Sequence, residues 1–362
     1  MRTAARRGVW AAAALAVCAA VAGAEVRYAV VELGCLFADK DLTFAYDVND
    51  SGEVAGYCQV QNPGGPNGAC EGFLYTGGIL HGLGTLGGTD SLAGGLSNGG
   101  TVTGWALDGS GVSKAFLYDH PGPMQGIGPA GLTGRGSDIN GSGEVVGTAN
   151  ITAHYYSGSA WTDLGTIAGG TYSDGYGINA HGEMVGSGDN VDGYQRGFYC
   201  AGVGSALVDL GTLGGFFSDA FAINDAGTIV GSADVGGNVY HAYRKPAGGA
   251  MQDLGLMEAG SFQSWAFDVN ESGVIVGRCE TSQGLRGFVR SGSALEDLND
   301  LIDPALGITI EEARAVNESG WIAANGVDAS GRDRAFLLVP EPATLGLAAA
   351  GAAALWRRRR VG

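Results

Sequence analysis

Hydrophobic positions along this chain come in short bursts, not in helical stripes. SWAFDVN (264–270), VIVG (274–277), AFLYD (115–119) and LVDLG (207–211) are typical: a few apolar or alternating residues, cut off by Gly, Asn or Asp. Such bursts read as half-buried strands closed by turns. They recur in a fixed order. DVNDSGEVAG at Asp47 returns as GLSNGGTVTG, DINGSGEVVG, GINAHGEMVG, AINDAGTIVG, DVNESGVIVG and AVNESGWIAA. The key residues are Asn49, Ser97, Asn140, Asn179, Asn224, Asn270 and Asn317, spaced by 48, 43, 39, 45, 46 and 47 residues. Four short strands at a period in the mid-forties describe a propeller blade.

Strand order sharpens the expectation. A leucine-glycine fourth-strand motif (VELG, 31–34) precedes any first strand, and the last repeat stops after its third strand, Ala335–Val339. The predicted fold is therefore all-β: a seven-bladed β-propeller of four-stranded blades, the last blade closed by the N-terminal strand. Closure removes the open edges that invite aggregation. The position four before each key residue is small (Ala45, Ala93, Gly136, Gly175, Ala220, Ala266, Ala313), which reads as an inner strand crowded near the axis. The third-strand aromatics Phe73, Phe116, Phe198, Tyr243, Phe288 and Phe336, with His154 in the third copy, read as inter-blade core.

Composition agrees. Of 362 residues, 67 are Gly and 16% are charged, while 45% are hydrophobic. Glycine is costly in helices, and the apolar share can fill a core. Net charge is −17, and setting aside seven terminal arginines leaves 13 basic against 37 acidic residues. Such a surface repels phosphate backbones, so no nucleic acid partner is expected. A neutral polysaccharide, a cationic partner or divalent cations fit better.

Both ends read as addresses. Residues 1–24 form a signal peptide: Arg2, Arg6 and Arg7 before an apolar run, then Ala22-Gly23-Ala24 as the cleavage site. Residues 25–339 are the propeller domain. Residues 340–362 begin with Pro340-Glu341-Pro342, continue as a 14-residue apolar run and end on Arg357, Arg358, Arg359 and Arg360. The run is shorter than the roughly 20 residues of a stable span. This tail resembles the PEP-CTERM sorting signal of Gram-negative bacteria that make exopolysaccharide. The resemblance implies an exosortase-type membrane protease as partner, transient insertion in the inner membrane, and delivery to the envelope or extracellular matrix.

The repeats resemble the HAF-type extracellular repeat through L-G-x-L-G-G, I-N-x-x-G-x-I-V-G and A-F-L, with Ser97, Ala324 and the linker NDLIDPALGIT departing from the pattern. That resemblance implies a secreted bacterial propeller and brings no catalytic residue with it. Five cysteines follow the signal, and Cys58 and Cys70, on consecutive predicted strands, form the candidate disulfide.

Candidate sites are few. Asp47–Gly52 looks like an EF-hand opening, but the twelfth position holds Cys58, and Asp leads only three of seven copies. A hairpin turn explains N-x-x-G better. Asp47, Asp138 and Asp268 stay as weak calcium candidates; no other cofactor or metal is expected. The five histidines occupy unrelated repeat positions, and neither G-x-S-x-G nor H-E-x-x-H occurs. The candidate binding surface is the loop set before each first strand: Asp90, Ser91, Tyr172, Ser173, Asp174, Ser218, Asp219 and Trp265. Its plainer reading is serines satisfying turn backbone. The expectation is a non-catalytic scaffold or binding protein that engages polysaccharide or surface proteins; the alternative is a propeller-type polysaccharide hydrolase or lyase.

Overall fold

The computed structural model describes residues 27–36, 42–59, 68–129 and 131–341. The signal-cleavage residues Ala22 and Ala24, as well as Pro342 and Arg357–Arg360, lie outside the described residues. Seven four-stranded antiparallel sheets form a ring. Blades 1 to 6 occupy 42–82, 87–126, 134–165, 173–209, 218–255 and 263–297, each in sequence order from its inner strand outward. Blade 7 takes its three inner strands from 309–340 and its outer strand from Tyr28–Glu32, which pairs antiparallel with Asp333–Pro340. The N-terminal strand thus closes the ring as expected. Among the described residues the only helical elements are two 3-10 turns, Leu298–Asp300 and Pro304–Leu306, in the linker to blade 7.

The repeat letters have identifiable jobs. The third-strand rings Phe73, Phe116, Phe198, Tyr243 and Phe288 are fully buried and Phe336 nearly so, as core residues should be. Four of these rings lie over a second-strand glycine that leaves no room for a side chain. A Cβ on Gly56, Gly186, Gly231 or Gly277 would lie 2.8, 2.8, 2.9 or 2.7 Å from the ring of Phe73, Phe198, Tyr243 or Phe288, and would also strike a first-strand carbonyl. In blade 7 Ala324 replaces this glycine, and there the first strand carries a second bulge, between Ile310 and Glu312.

One expectation needs correction. The small residue four before the key position does not line the axis. Ala93, Ala220 and Ala313 are fully buried against the third strand of the preceding blade: a Cβ on Gly72, Gly197 or Gly287 would lie 3.2, 3.0 or 3.3 Å from their backbone nitrogens. Smallness is imposed by the neighbouring blade, not by crowding at the centre.

The boundary drawn at 339/340 also falls inside the fold. Pro340 is the last residue of a blade 7 strand, opposite Tyr28, and the Glu341 N–H donates to the Arg27 carbonyl at 2.8 Å. The chain enters and leaves the ring side by side.

Candidate functional site

The turn that opens each second strand ties the ring together. The Asn49 side-chain oxygen accepts from Ser51 and Glu53 N–H at 3.1 and 3.0 Å, and Gly52 closes the turn at φ 75°. That is the expected hairpin. The amide nitrogen does something else: it donates to the Ser97 carbonyl of the next blade at 3.2 Å. Asn140, Asn179, Asn224 and Asn270 repeat the bond to residues 179, 224, 270 and 317 at 2.9–3.1 Å, and Asn317 closes the circle onto the Asn49 carbonyl at 2.9 Å. Ser97 is too short to pass it on, so the belt is open between blades 2 and 3. The acidic residue after the asparagine adds a second tie in several blades, as where the Glu318 N–H donates to Asp50 Oδ1 at 3.0 Å.

Asp47, Asp138 and Asp268 are clamps of the same kind. Their Oδ1 atoms accept from the N–H of the next residue at 2.7, 2.7 and 2.8 Å. Their Oδ2 atoms accept from Leu96, Ile178 and Val316 N–H of the following blade at 2.6, 2.9 and 2.8 Å. Among the described residues no three His, Cys, Asp or Glu side chains stand together as a metal site, so the calcium candidates are not assembled into one. Burial pushes Asp47 up to about 8, with the charges of Asp138 and Asp268 adding to it; burial also raises Asp138, and lifts Asp268 to about 7.

The hydroxyls expected on the binding loops are buried. Ser91, Ser173 and Ser218 donate to the carbonyls of Gly84, Gly165 and Gly211 at 2.6, 2.5 and 2.6 Å. They accept the N–H of Gly72, Ala153 and Gly197 in the preceding blade at 3.0, 2.8 and 3.0 Å. Thr43 and Ser264 make the same donation, to Gly34 and Gly255. These serines are inter-blade staples, and with both functions used they are withdrawn as ligand contacts. Asp90 is also engaged, holding Cys70 N–H at 2.9 Å. Tyr172 is half-buried. Asp174 pairs with Arg135, and Asp219 accepts from Gln195 at 2.5 Å; burial raises both carboxyls. Trp265 lies beneath the Arg278 guanidinium, 4.7 Å from its ring centre.

The Cys58–Cys70 disulfide is excluded by register. Cys58 pairs with Glu71 and Cys70 with Gln59, so the two thiols project from opposite faces of the sheet.

What sequence reasoning missed is a bulge. Every inner strand shifts register three residues before its key residue, at Tyr46, Gly94, Ser137, Tyr176, Phe221, Phe267 and Arg314. A bulge re-aims its side chain, and all seven positions line one cavity of about 480 Å³ around the ring centre. Five of them form a continuous array. Tyr176 and Phe221 have ring centres 5.9 Å apart, and Phe221 and Phe267 5.6 Å apart. Arg314 then sits 4.5 Å from the centre of Phe267 and 4.8 Å from that of Tyr46. At the bulge blades 2 and 3 carry the small Gly94 and Ser137, while Leu92, Trp105 and Arg135 of the same blades also line the cavity. Arg314 Nε and Ser137 Oγ have no hydrogen-bond partner. The only sequence signal was scatter: this position runs from Gly to Arg while its neighbours repeat.

Residues 338–360 match the PEP-CTERM protein-sorting motif. That motif implies recognition by exosortase, a membrane enzyme, and export toward the cell envelope or surface of a Gram-negative bacterium. No curated protein matches the chain. Among solved structures, the acylaminoacyl peptidase of Pyrococcus horikoshii is similar at 9% identity and TM-score 0.55, over 93% of this chain and 55% of that one. TolB of Acinetobacter baumannii is similar at 13% and 0.47, over 81% and 65%. A lectin of Aleuria aurantia is similar at 14% and 0.39, over 72% and 95%. At these identities the likeness concerns the fold alone.

Proposed function

We propose that this protein is a secreted or surface-held, non-catalytic binding scaffold of the envelope or exopolysaccharide matrix, and that its ligand is a neutral saccharide seated in the central cavity. The observation that carries this reading is the crescent of bulged residues from Tyr176 through Phe221, Phe267 and Arg314 to Tyr46. Aromatic faces stack against the apolar faces of sugar rings, and the half-buried Arg314 among them supplies guanidinium donors for hydroxyls. The cavity lies within the range of about 300–1,000 Å³ usual for small-molecule sites. The acidic surface argues for a neutral ligand over an anionic one. Export through the N-terminal signal, the HAF-type character of the repeats and transient anchoring by the tail belong to the same reading.

A polysaccharide hydrolase or lyase is the second reading, favoured by three channel carboxyls raised in pKa. The binding reading is preferred because each of those carboxyls already accepts two backbone N–H groups, which leaves little freedom for acid–base exchange. Calorimetric titration with oligosaccharides from the producing cell's own matrix separates the two. Saturable binding is expected, weakened at least about tenfold by Phe267→Ala, with no new reducing or unsaturated ends after long incubation. Polymer shortening that disappears in Asp47→Asn would establish the enzyme instead.

A further inference from the structure

The ring is closed by hydrogen bonds between Tyr28–Glu32 and blade 7, and the segment that follows this strand runs straight onto blade 1. The Leu33 N–H donates to the Ala335 carbonyl of blade 7 at 3.0 Å, while the Gly34 carbonyl accepts from Thr43 Oγ1 of blade 1 at 2.7 Å. Cys35 and Leu36 come next. The Leu36 N–H donates to the Cys58 sulfur at 3.3 Å, and Cys35 Sγ reaches the Leu42 carbonyl at 3.9 Å. Cys58 sits on the second strand of blade 1, fully buried, its Sγ 3.9 Å from Thr43 Oγ1. Cys35, half-buried, packs into the same apolar cluster. The two thiols hydrogen-bond one another, and this bond together with burial raises the Cys58 pKa.

We infer that Cys35 and Cys58 form a disulfide in the exported protein, a covalent stitch from the closing strand to blade 1. The sorting motif sends the chain to the envelope, outside the reducing cytoplasm, where such a bond persists. Two thiols must lose two electrons and two protons, so the step needs a disulfide donor: a dithiol oxidase of the envelope, or oxidised glutathione in vitro. The more accessible Cys35 attacks the donor as thiolate and forms a mixed disulfide. Cys58 loses its proton and attacks the Cys35 sulfur, releasing a dithiol oxidase as its dithiol; with oxidised glutathione one glutathione thiol leaves at each of the two steps. The raised Cys58 pKa makes this second step slow and faster at alkaline pH. The finished bond keeps an unpaired N-terminal strand beside blade 7 instead of letting it diffuse, which raises its effective concentration for re-pairing.

The test uses the full chain recovered from the cell envelope, quenched in acid and alkylated with N-ethylmaleimide. Peptide mass spectrometry is expected to find Cys35 linked to Cys58, with Cys70, Cys200 and Cys279 alkylated after denaturation. Maleimide on both Cys35 and Cys58, or Cys58 linked to Cys70, overturns the inference. Thermal unfolding gives a second reading. Dithiothreitol is expected to lower the midpoint of the wild type by roughly 5 °C and leave Cys35→Ser unchanged. A wild type whose midpoint ignores the reductant overturns it equally.

Discussion

The inner strands can be compared at two levels only three residues apart. At the turn, six of seven blades place the same asparagine, and each makes the same bond to the next blade. At the bulge, the seven blades share a backbone irregularity but present Tyr, Gly, Ser, Tyr, Phe, Phe and Arg. One backbone thus carries two kinds of information. Where residues repeat, they hold the ring; where the geometry repeats but the residues do not, the ring presents a surface.

The largest effect should come from breaking the repeated level. In Gly231→Ala the new Cβ collides with the Asp219 carbonyl and lies 2.9 Å from the buried Tyr243 ring. Neither can yield without moving a strand, so a loss on the order of 4 kcal/mol is expected. At the variable level, a Cβ on Gly94 lies 3.1 and 3.2 Å from the Gly136 and Ser137 carbonyls. Gly94→Ala should cost about 1 kcal/mol. Chemical denaturation of the two variants side by side tests the distinction; equal losses would erase it.

Asp47 stands between the levels, and its signature is pH. Its folded value of about 8 lies well above the roughly 4 of an unfolded aspartate. Folding therefore favours the protonated acid. No penalty exists below about pH 4, it grows as pH rises, and it is complete above the folded value. Stability should fall across that window by several kcal/mol for this group. The difference between wild type and Asp47→Asn, followed by thermal unfolding from pH 4 to 9, isolates it from the other carboxylates. A constant difference across the range would mean that Asp47 is ionised in the fold as it is in the unfolded chain.

The two levels also differed in legibility. The period, the four strands, the buried aromatics and closure by the N-terminal strand could all be read because they repeat in sequence at fixed offsets. The asparagine belt was half-read: Oδ1 makes a local turn that any N-x-x-G announces, whereas Nδ2 bonds a residue 39 or more positions away, which no local pattern encodes. Of the two readings open for the recurring serines, the plainer structural one describes them. Their recurrence, with Thr43, in five of the seven blades pointed to a shared structural task, and the buried Gly84–Ser91–Gly72 staple is that task. The crescent stayed hidden because a bulge has no residue signature of its own; at that position only the irregularity of the residues stood out.

Asn317 tests the belt at its closing bond. Asn317→Ala removes the donor to the Asn49 carbonyl and the acceptor of the Trp321 N–H at 2.9 Å, at a point where blades 7 and 1 meet without chain continuity through the turn. A loss of about 2 kcal/mol is expected, read as a lower denaturation midpoint with unchanged slope. A slope that fell as well would mean that the ring opens before it unfolds.

The smallest effect is a gain, at the single gap in the belt. Ser97 already accepts the Thr101 N–H through Oγ at 3.1 Å, as an asparagine oxygen does in the other blades. Blades 2 and 3 approach closely here: a Cβ on Gly95 would lie 2.8 Å from Asp138 Cα. Among the described residues the Asn140 carbonyl accepts only the Gly143 N–H at 3.0 Å, whereas the corresponding carbonyl of Asn49 accepts both its own turn's glycine and the asparagine of the blade before. Ser97→Asn therefore has a free acceptor within the reach of its amide. It should stabilise the ring by about 1 kcal/mol. The substitution leaves the bulge at Gly94 alone, so saccharide affinity should not change with it. A gain in stability without a change in binding is what the separation of the two levels requires. A loss of binding on closing the belt would show that the junction of blades 2 and 3 has to stay loosely held for binding, and that the two levels act as one.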